Sequence, residues 1–432
     1  NGLVSPDRTP HPAMAEVRYA YADIAFRPGG PAQGSFEVEN RFYFRTLDGY
    51  DIVYTVEADG VPVRSGTVRL HTAPRQRETV NVAVGKLKPG RSYYLRLRAV
   101  TRTERPGLPA GTIVAEEQFP MQKGTLPAYK QSGKPLTVTS NDDRIEAAND
   151  HVRFAVNRTT GAALSYEIDG EELFAEQFGV RHNFWRAPVD NDYGDKIPRR
   201  TQIWKEATRD AQAEVTGRME GDAAVITAAY AFAGSNRLDM IYTVHPSGAV
   251  NVRMHFSRGE DPMPEMLRYG VRFRLPERMD AFTYFGRGPE ENYWDRKAGT
   301  FIGRYATSAR EECFPYVRPQ ETGHHCDTEW IDFGELLVVA DSAMEFNALR
   351  CSVEDLDGEQ AVERDYQWHN WTKSDPNDVD KARNTMRRQT HVNDIPVRDF
   401  VEVCLDYRQM GLGGYDSWSK HPEEAVILRT EK

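Results

Sequence analysis

With 65 aspartates and glutamates in 432 residues, a pair of acids means little alone; density and company carry the signal. In "APVDNDYGD" (Ala187–Asp195) three aspartates fall within positions 190–195. The run resembles a calcium loop only superficially, because it lacks the spaced ligands and closing glutamate of an EF-hand. "GRGPEENYWDR" (Gly286–Arg296) sets Glu290, Glu291 and Asp295 beside Tyr293 and Trp294. That company suits a sugar, whose apolar ring face stacks on an indole while its hydroxyls bond to acids. A turn with buried ion pairs is the plainer reading of the same residues. "HHCD" (His324–Asp327) offers metal-ligand types, but neighbouring side chains on a strand point to opposite faces, so His324 and His325 cannot easily share an ion. "GLGGYDSWS" (Gly411–Ser419) packs three glycines around one indole; glycine suits neither a helix interior nor a regular strand, so Trp418 is expected on a loop. No GxSxG elbow, phosphate loop or HExxH occurs.

The elements that must hold these residues are strands. "FEVENRFYF" (Phe36–Phe44), "YDIVYTVEA" (Tyr50–Ala58), "TVNVAV" (Thr79–Val84) and "YYLRLRAV" (Tyr93–Val100) alternate with period two, the signature of a β-sandwich. The Pro-Gly turn of "LKPGRSYYLRLRAV" before Tyr93 resembles the tyrosine corner of immunoglobulin-like domains. Residues 14–121 are therefore expected to form one immunoglobulin-like sandwich, behind a proline-rich lead-in, residues 1–13. The polar segment 122–135 reads as a linker. Residues 136–432 resume with strand-like runs ("LTVTS", "VRFAVN", "AVITAAYAF", "MIYTVHP", "VNVRMHF"), with helical patterns clearest at Ile197–Ala207 and Val379–Gln389. Strands and helices never alternate as a (β/α)₈ barrel of about 250 residues requires. The expected fold is all-β: an immunoglobulin-like sandwich followed by a large antiparallel super-sandwich.

Composition excludes several classes. A net charge of -10 argues against a nucleic-acid partner, and the basic run Lys381–Arg388 after "SDPNDVD" reads as a capped, solvated helix. The mean hydropathy is -0.65, and the longest apolar runs, such as Leu336–Ala340, are too short to cross a bilayer. No leader is visible at Asn1, and the compartment, cytoplasmic or periplasmic, stays open. None of Cys313, Cys326, Cys351 and Cys404 forms a CxxC pair, so neither a zinc ribbon nor a thioredoxin-type site is expected.

Four blocks carry a resemblance: "NGLVSPDRTPHPAM" (Asn1–Met14), "NFWRAPVDNDYG" (Asn183–Gly194), "GRGPEENYWDR" and "MGLGGYDSWS" (Met410–Ser419). In order and approximate spacing they closely resemble blocks of the large bacterial β-galactosidases of glycoside hydrolase family 2. The match is to the C-terminal part, where an immunoglobulin-like domain and a galactose-mutarotase-like super-sandwich follow the catalytic barrel. The resemblance implies a retaining hydrolase of terminal β-D-galactosides such as lactose, homo-oligomeric at full length, with two glutamates about 5–5.5 Å apart in the barrel. The acid/base of that clan follows an asparagine, and no Asn-Glu dipeptide occurs here, so no catalytic residue is expected in this chain and the chain alone is expected to be inactive. By the same resemblance Trp418 binds substrate at the active-site mouth, and a mobile loop beginning at Gly194, with Asp195 and Lys196, runs to about Ile203. Asn1 helps bind sodium in the intact enzyme, which is also expected to use magnesium; this chain is expected to hold neither cofactor. Gln409 departs from the family's best-known members, which have histidine there. The implied partners are a β-galactoside and the catalytic barrel, with no nucleic acid and no membrane. Two other readings stand beside this one. The first is a stand-alone aldose mutarotase or epimerase, for which His182, His324, His325 and His369 offer acid and base groups; the second is a carbohydrate-binding scaffold module.

Overall fold

The computed structural model describes residues 2–209, 211–232, 235–357, 391–416 and 419–430. Every strand pairing among them is antiparallel. The first sandwich faces a three-stranded sheet (Ile24–Gly30, Ser35–Asn40, Arg77–Asn81) against a four-stranded one (Val61–Val68, Tyr50–Ala58, Tyr93–Thr101, Ile113–Gln122). Alternation drives this: in Tyr93–Thr101 every second residue is buried, and Phe36, Val38, Ile52, Leu95 and Leu97 meet between the sheets without exposed surface. The tyrosine corner forms as expected. Tyr93 opens its strand, and its hydroxyl accepts the Lys88 N–H at 3.2 Å.

Beyond Gln122 the next strand begins at Thr137, and the residues between are mostly exposed. They are tied down at both ends, by Gly124 N–H donating to Ser92 Oγ at 3.0 Å and by Lys134 O accepting from Asn149 Nδ2 at 2.8 Å, and between them by Tyr129 OH donating to Asn251 Oδ1 at 2.9 Å. Three further sheets follow: five strands from Thr137–Ser140 to Glu171–Glu172, four from Ala213–Glu220 to Val250–Ser257, and seven in the order Arg181–Asn183, Arg268–Pro276, Phe400–Gln409, Leu337–Leu349, His325–Asp332, Ala281–Gly288, Phe301–Ser308. One core joins all three, with Phe154, Phe184, Trp204, Tyr242, Phe273 and Phe346 fully or almost fully buried. This is the all-β super-sandwich anticipated from the strand periodicity.

A helix, Ala13–Ala20, stands where the sandwich was expected to begin. None of its residues is buried, and it sits between the two units: Tyr19 OH donates to Glu117 at 2.6 Å, and Glu16 accepts the Gly299 N–H at 2.8 Å. The units also meet directly. The Gln118 amide donates to Ile302 O at 2.7 Å and accepts the Ile302 N–H at 2.9 Å, so a side chain imitates a strand partner. The expected helical pattern at Ile197–Ala207 is present as Ile197–Arg200 and Gln202–Arg209. The patterns at Lys381–Arg388 and Val379–Gln389 lie outside the described residues.

Candidate functional site

The site grows from the edge of the seven-stranded sheet. After Arg181–Asn183 the chain carries Arg186 into the interior, where it has no exposed surface. A buried guanidinium must find oxygens for its N–H groups. Arg186 Nη2 donates to both Asp192 oxygens at 2.9 and 3.1 Å and to Gly411 O at 3.2 Å; Nη1 donates to Gln409 Oε1 at 3.2 Å and to Met410 O. Asp192 in turn accepts the Val189 N–H at 2.9 Å, fixing the start of the short helix Asp190–Gly194. Burial pushes the Asp192 carboxyl up, against the pull of Arg186.

Three of the quoted blocks meet here. Asn191 Nδ2 donates to Leu412 O at 3.2 Å, and Asp295 accepts the Gly413 N–H at 2.8 Å. Lys420 Nζ donates to Gly194 O at 3.1 Å, and His421 Nδ1 lies 2.7 Å from Asp195 Oδ1. The glycines are needed for this. Gly413 and Gly414 sit at φ 78° and 75°, and a Cβ on Gly413 would lie 2.3 Å from the Lys420 carbonyl oxygen. Across the loop, Asp416 accepts from Ser419 N–H at 2.5 Å and from Ser419 Oγ at 2.9 Å. Asp195, Arg200, Glu265, Met410 and His421, on either side of the loop in sequence, border a cavity of about 380 Å³. Burial raises the Asp195 carboxyl, but its bonds to His421 and Arg200 outweigh that and hold it below the usual range.

The lead-in packs near the second block. His11 lies edge-on to Phe314 and Tyr316, at 5.3 and 5.7 Å. Tyr316 OH donates to Glu291, which also accepts from Arg296 at 2.7 Å, from the Gly323 N–H at 2.7 Å and from Thr322 Oγ1 at 3.1 Å.

Glu291 is therefore a buried structural hub. Tyr293 is equally buried, stacked on His324 at 5.0 Å, so the turn-with-ion-pairs reading holds for these two. Asp295 remains exposed. Gly194 ends the Asp190–Gly194 helix, Lys196 is left-handed at φ 59°, and Ile197–Arg200 follows as a helix; the expected loop from Gly194 to about Ile203 therefore opens on a turn at Asp195 and Lys196 and continues as short helices. Trp418, Asn1 and His369 lie outside the described residues, so the sodium role of Asn1 stays with the resemblance. Gln409 is buried, its Oε1 accepting from Arg186 and its Nε2 donating to Glu321 at 3.2 Å, a dual role that an amide meets directly. The bracing partners Arg186, Asn191, Lys420 and His421 were not anticipated; single polar residues carry no periodic signal, although the first two stand inside a quoted block.

The histidines turn inward. His182 Nε2 donates to Ala207 O at 2.9 Å, and its Nδ1 has no hydrogen-bond partner among the described groups; burial lowers its pKa to about 4. His324 and His325 do take different partners, although the strand begins only at His325. His325 Nε2 pairs with Glu312 at 2.7 Å. His324 Nδ1 meets the Asn292 carbonyl at 2.9 Å and must donate there, which leaves Nε2 as the lone-pair nitrogen, 3.5 Å from Glu345. Cys326 Sγ lies 4.0 Å from the donating nitrogen, so the buried trio His324, Cys326 and Glu345 does not aim three lone pairs at one point.

Fold and loops define the class: a multi-sandwich all-β chain in which three of the quoted blocks meet beside the edge of the seven-stranded sheet. The family described as beta galactosidase small chain matches residues 148–432, and that described as beta-galactosidase, domain 4, matches residues 36–122. The chain belongs to the beta galactosidase small chain family. It is similar to a beta-galactosidase of Priestia megaterium (strain DSM 319 / IMG 1521), with 30% identity over 435 residues, 98% of this chain and 39% of that protein. It is equally similar to one of Vibrio cholerae serotype O1, with 30% identity over 442 residues and the same coverages. The chain thus spans about two-fifths of the length of these relatives. A solved cycloalternan-forming enzyme from Listeria monocytogenes aligns at 10% identity with a TM-score of 0.18, too slight a likeness to bear on the fold.

Proposed function

We propose that this chain is the non-catalytic C-terminal part of a retaining β-galactosidase acting on terminal β-D-galactosides such as lactose, and that the loop from Gly411 to Ser419 carries Trp418 to the active-site mouth. The observation that carries the reading is convergence: residues of the Asn183–Gly194, Gly286–Arg296 and Met410–Ser419 blocks brace one loop. The lead-in, which the resemblance places at the end of the barrel, packs through His11 beside the second block. Bracing supports a binding role, because a sugar-stacking indole is effective only if its backbone is held before the sugar arrives.

Retaining chemistry needs a nucleophilic carboxylate and an acid/base, and in this reading both come from the barrel. The chain alone should therefore show no turnover of a nitrophenyl β-galactoside, whereas a polypeptide joining it to the catalytic barrel should hydrolyse it. Turnover by the chain alone, abolished by replacing one of its own acids, would overturn the proposal. The epimerase reading is weaker: both His324 and His325 are completely buried, out of reach of a free sugar. Accelerated mutarotation of galactose by the chain alone would restore it.

A further inference from the structure

Cys313 and Cys351 are far apart in sequence and adjacent in the fold. Cys351 follows the Leu337–Leu349 strand and is buried with Ala187, Leu349 and Leu356 in a small apolar nest, against which the half-buried Cys313 packs. Gly323 marks the closeness of the two segments: a Cβ there would lie 2.6 Å from Glu312 O and 2.9 Å from Leu349 Cδ2. The neighbouring Cys351 holds the Cys313 thiol below its usual pKa, while Cys313 and burial together raise Cys351. Cys326 and Cys404 are buried elsewhere, 0% and 2% exposed, with thiols pushed up by burial.

We propose that Cys313 and Cys351 form an oxidant-responsive disulfide, closed by exchange with a low-molecular-weight disulfide of the glutathione class, which fastens the segment holding Phe314 and Tyr316 to the end of the central sheet. The chemistry is two exchanges. The Cys313 thiolate attacks one sulfur of oxidised glutathione; that S–S bond breaks, leaving a mixed disulfide on Cys313 and releasing one glutathione thiolate. Cys351 then loses its proton and attacks the Cys313 sulfur, expelling the second glutathione, which takes the proton. Two protein thiols are oxidised and one glutathione disulfide is reduced to two thiols. Accessibility sets the order, because Cys351 is only 3% exposed. The consequence lies at the lead-in: Phe314, next to Cys313, is one of the two rings that His11 rests on. The staple is independent of any sugar-binding role.

The test incubates the folded chain with oxidised glutathione, then unfolds it in an alkylating agent and maps the peptides. The expected result is a fall from four alkylatable thiols to two, with the peptides containing Cys313 and Cys351 joined and Cys326 and Cys404 alkylated. Dithiothreitol should restore all four, and Cys313→Ser and Cys351→Ser should each abolish the cross-link. Mapping the unsubstituted chain needs no variant, so a variant that fails to fold leaves the test intact. Four free thiols after exposure, glutathione retained on Cys313 without closure, or a cross-link involving Cys326 or Cys404 would each overturn the proposal.

Discussion

Glu345 sits at the meeting point of several buried polar groups, accepting the Gln409 N–H at 2.7 Å and an Arg408 N–H at 3.0 Å. Burial raises its pKa to about 7 from an ordinary 4.5. Between those values the folded chain keeps a proton that the unfolded chain has released, so its contribution to stability is full below pH 4.5 and is lost as pH rises through 7. The span corresponds to a loss on the order of 3 kcal/mol, at about 1.4 kcal/mol per pH unit. Glu345→Gln should therefore flatten the decline in stability between these pH values, measured by urea unfolding; an unchanged slope would contradict the account. None of this was visible in the sequence. An arginine such as Arg186 or Arg268 reads as a solvated charge, yet Arg268 is completely buried and pairs with Asp406 at 2.6 Å. Long-range ion pairs follow from which strands become neighbours, and local pattern does not encode that.

At the scale of elements, alternation was legible and its ends were not. Tyr50–Ala58 is a strand over the residues that alternate, while "TVNVAV" is shifted to Arg77–Asn81. The Ala13–Ala20 helix went unread because no buried face gives it a period, although Pro12 before it, Glu16 in its first turn and Arg18 in its last are ordinary helix signals. Within the glycine-rich run, residues 411–416 form neither helix nor strand, as its composition led one to expect. Its bracing can be probed through the backbone. Gly413→Ala would force a left-handed alanine, at about 1–2 kcal/mol, with its Cβ against the Lys420 carbonyl. Amide hydrogen exchange across residues 411–416 should speed up, while exchange in the Phe400–Gln409 strand stays slow. Unaltered exchange in the loop would mean that Gly413 is not what holds its shape.

At the scale of the molecule, the Gln118–Ile302 bridge and the Ala13–Ala20 helix join the two units. Gln118→Ala strands a backbone N–H and C=O at the junction, at about 1–3 kcal/mol for each group that stays dry. Calorimetry should then show the two units melting at separated temperatures; a single unshifted transition would show that the bridge does not couple them. Strand periodicity was legible on both sides of the junction, whereas the junction itself was not, because one amide side chain imitating a strand leaves no pattern. Trp418 tests what the junction and the braced loop serve. In the barrel-bearing enzyme, an indole that stacks on the sugar contributes about 1 kcal/mol beyond its area, or about fivefold in binding. The decisive measurement is KM for lactose in Trp418→Ala against the unsubstituted enzyme, with melting of both recorded alongside. The account predicts a KM raised about fivefold at an unchanged Tm; an unchanged KM with a Tm lowered by many degrees would make Trp418 a packing anchor and contradict it.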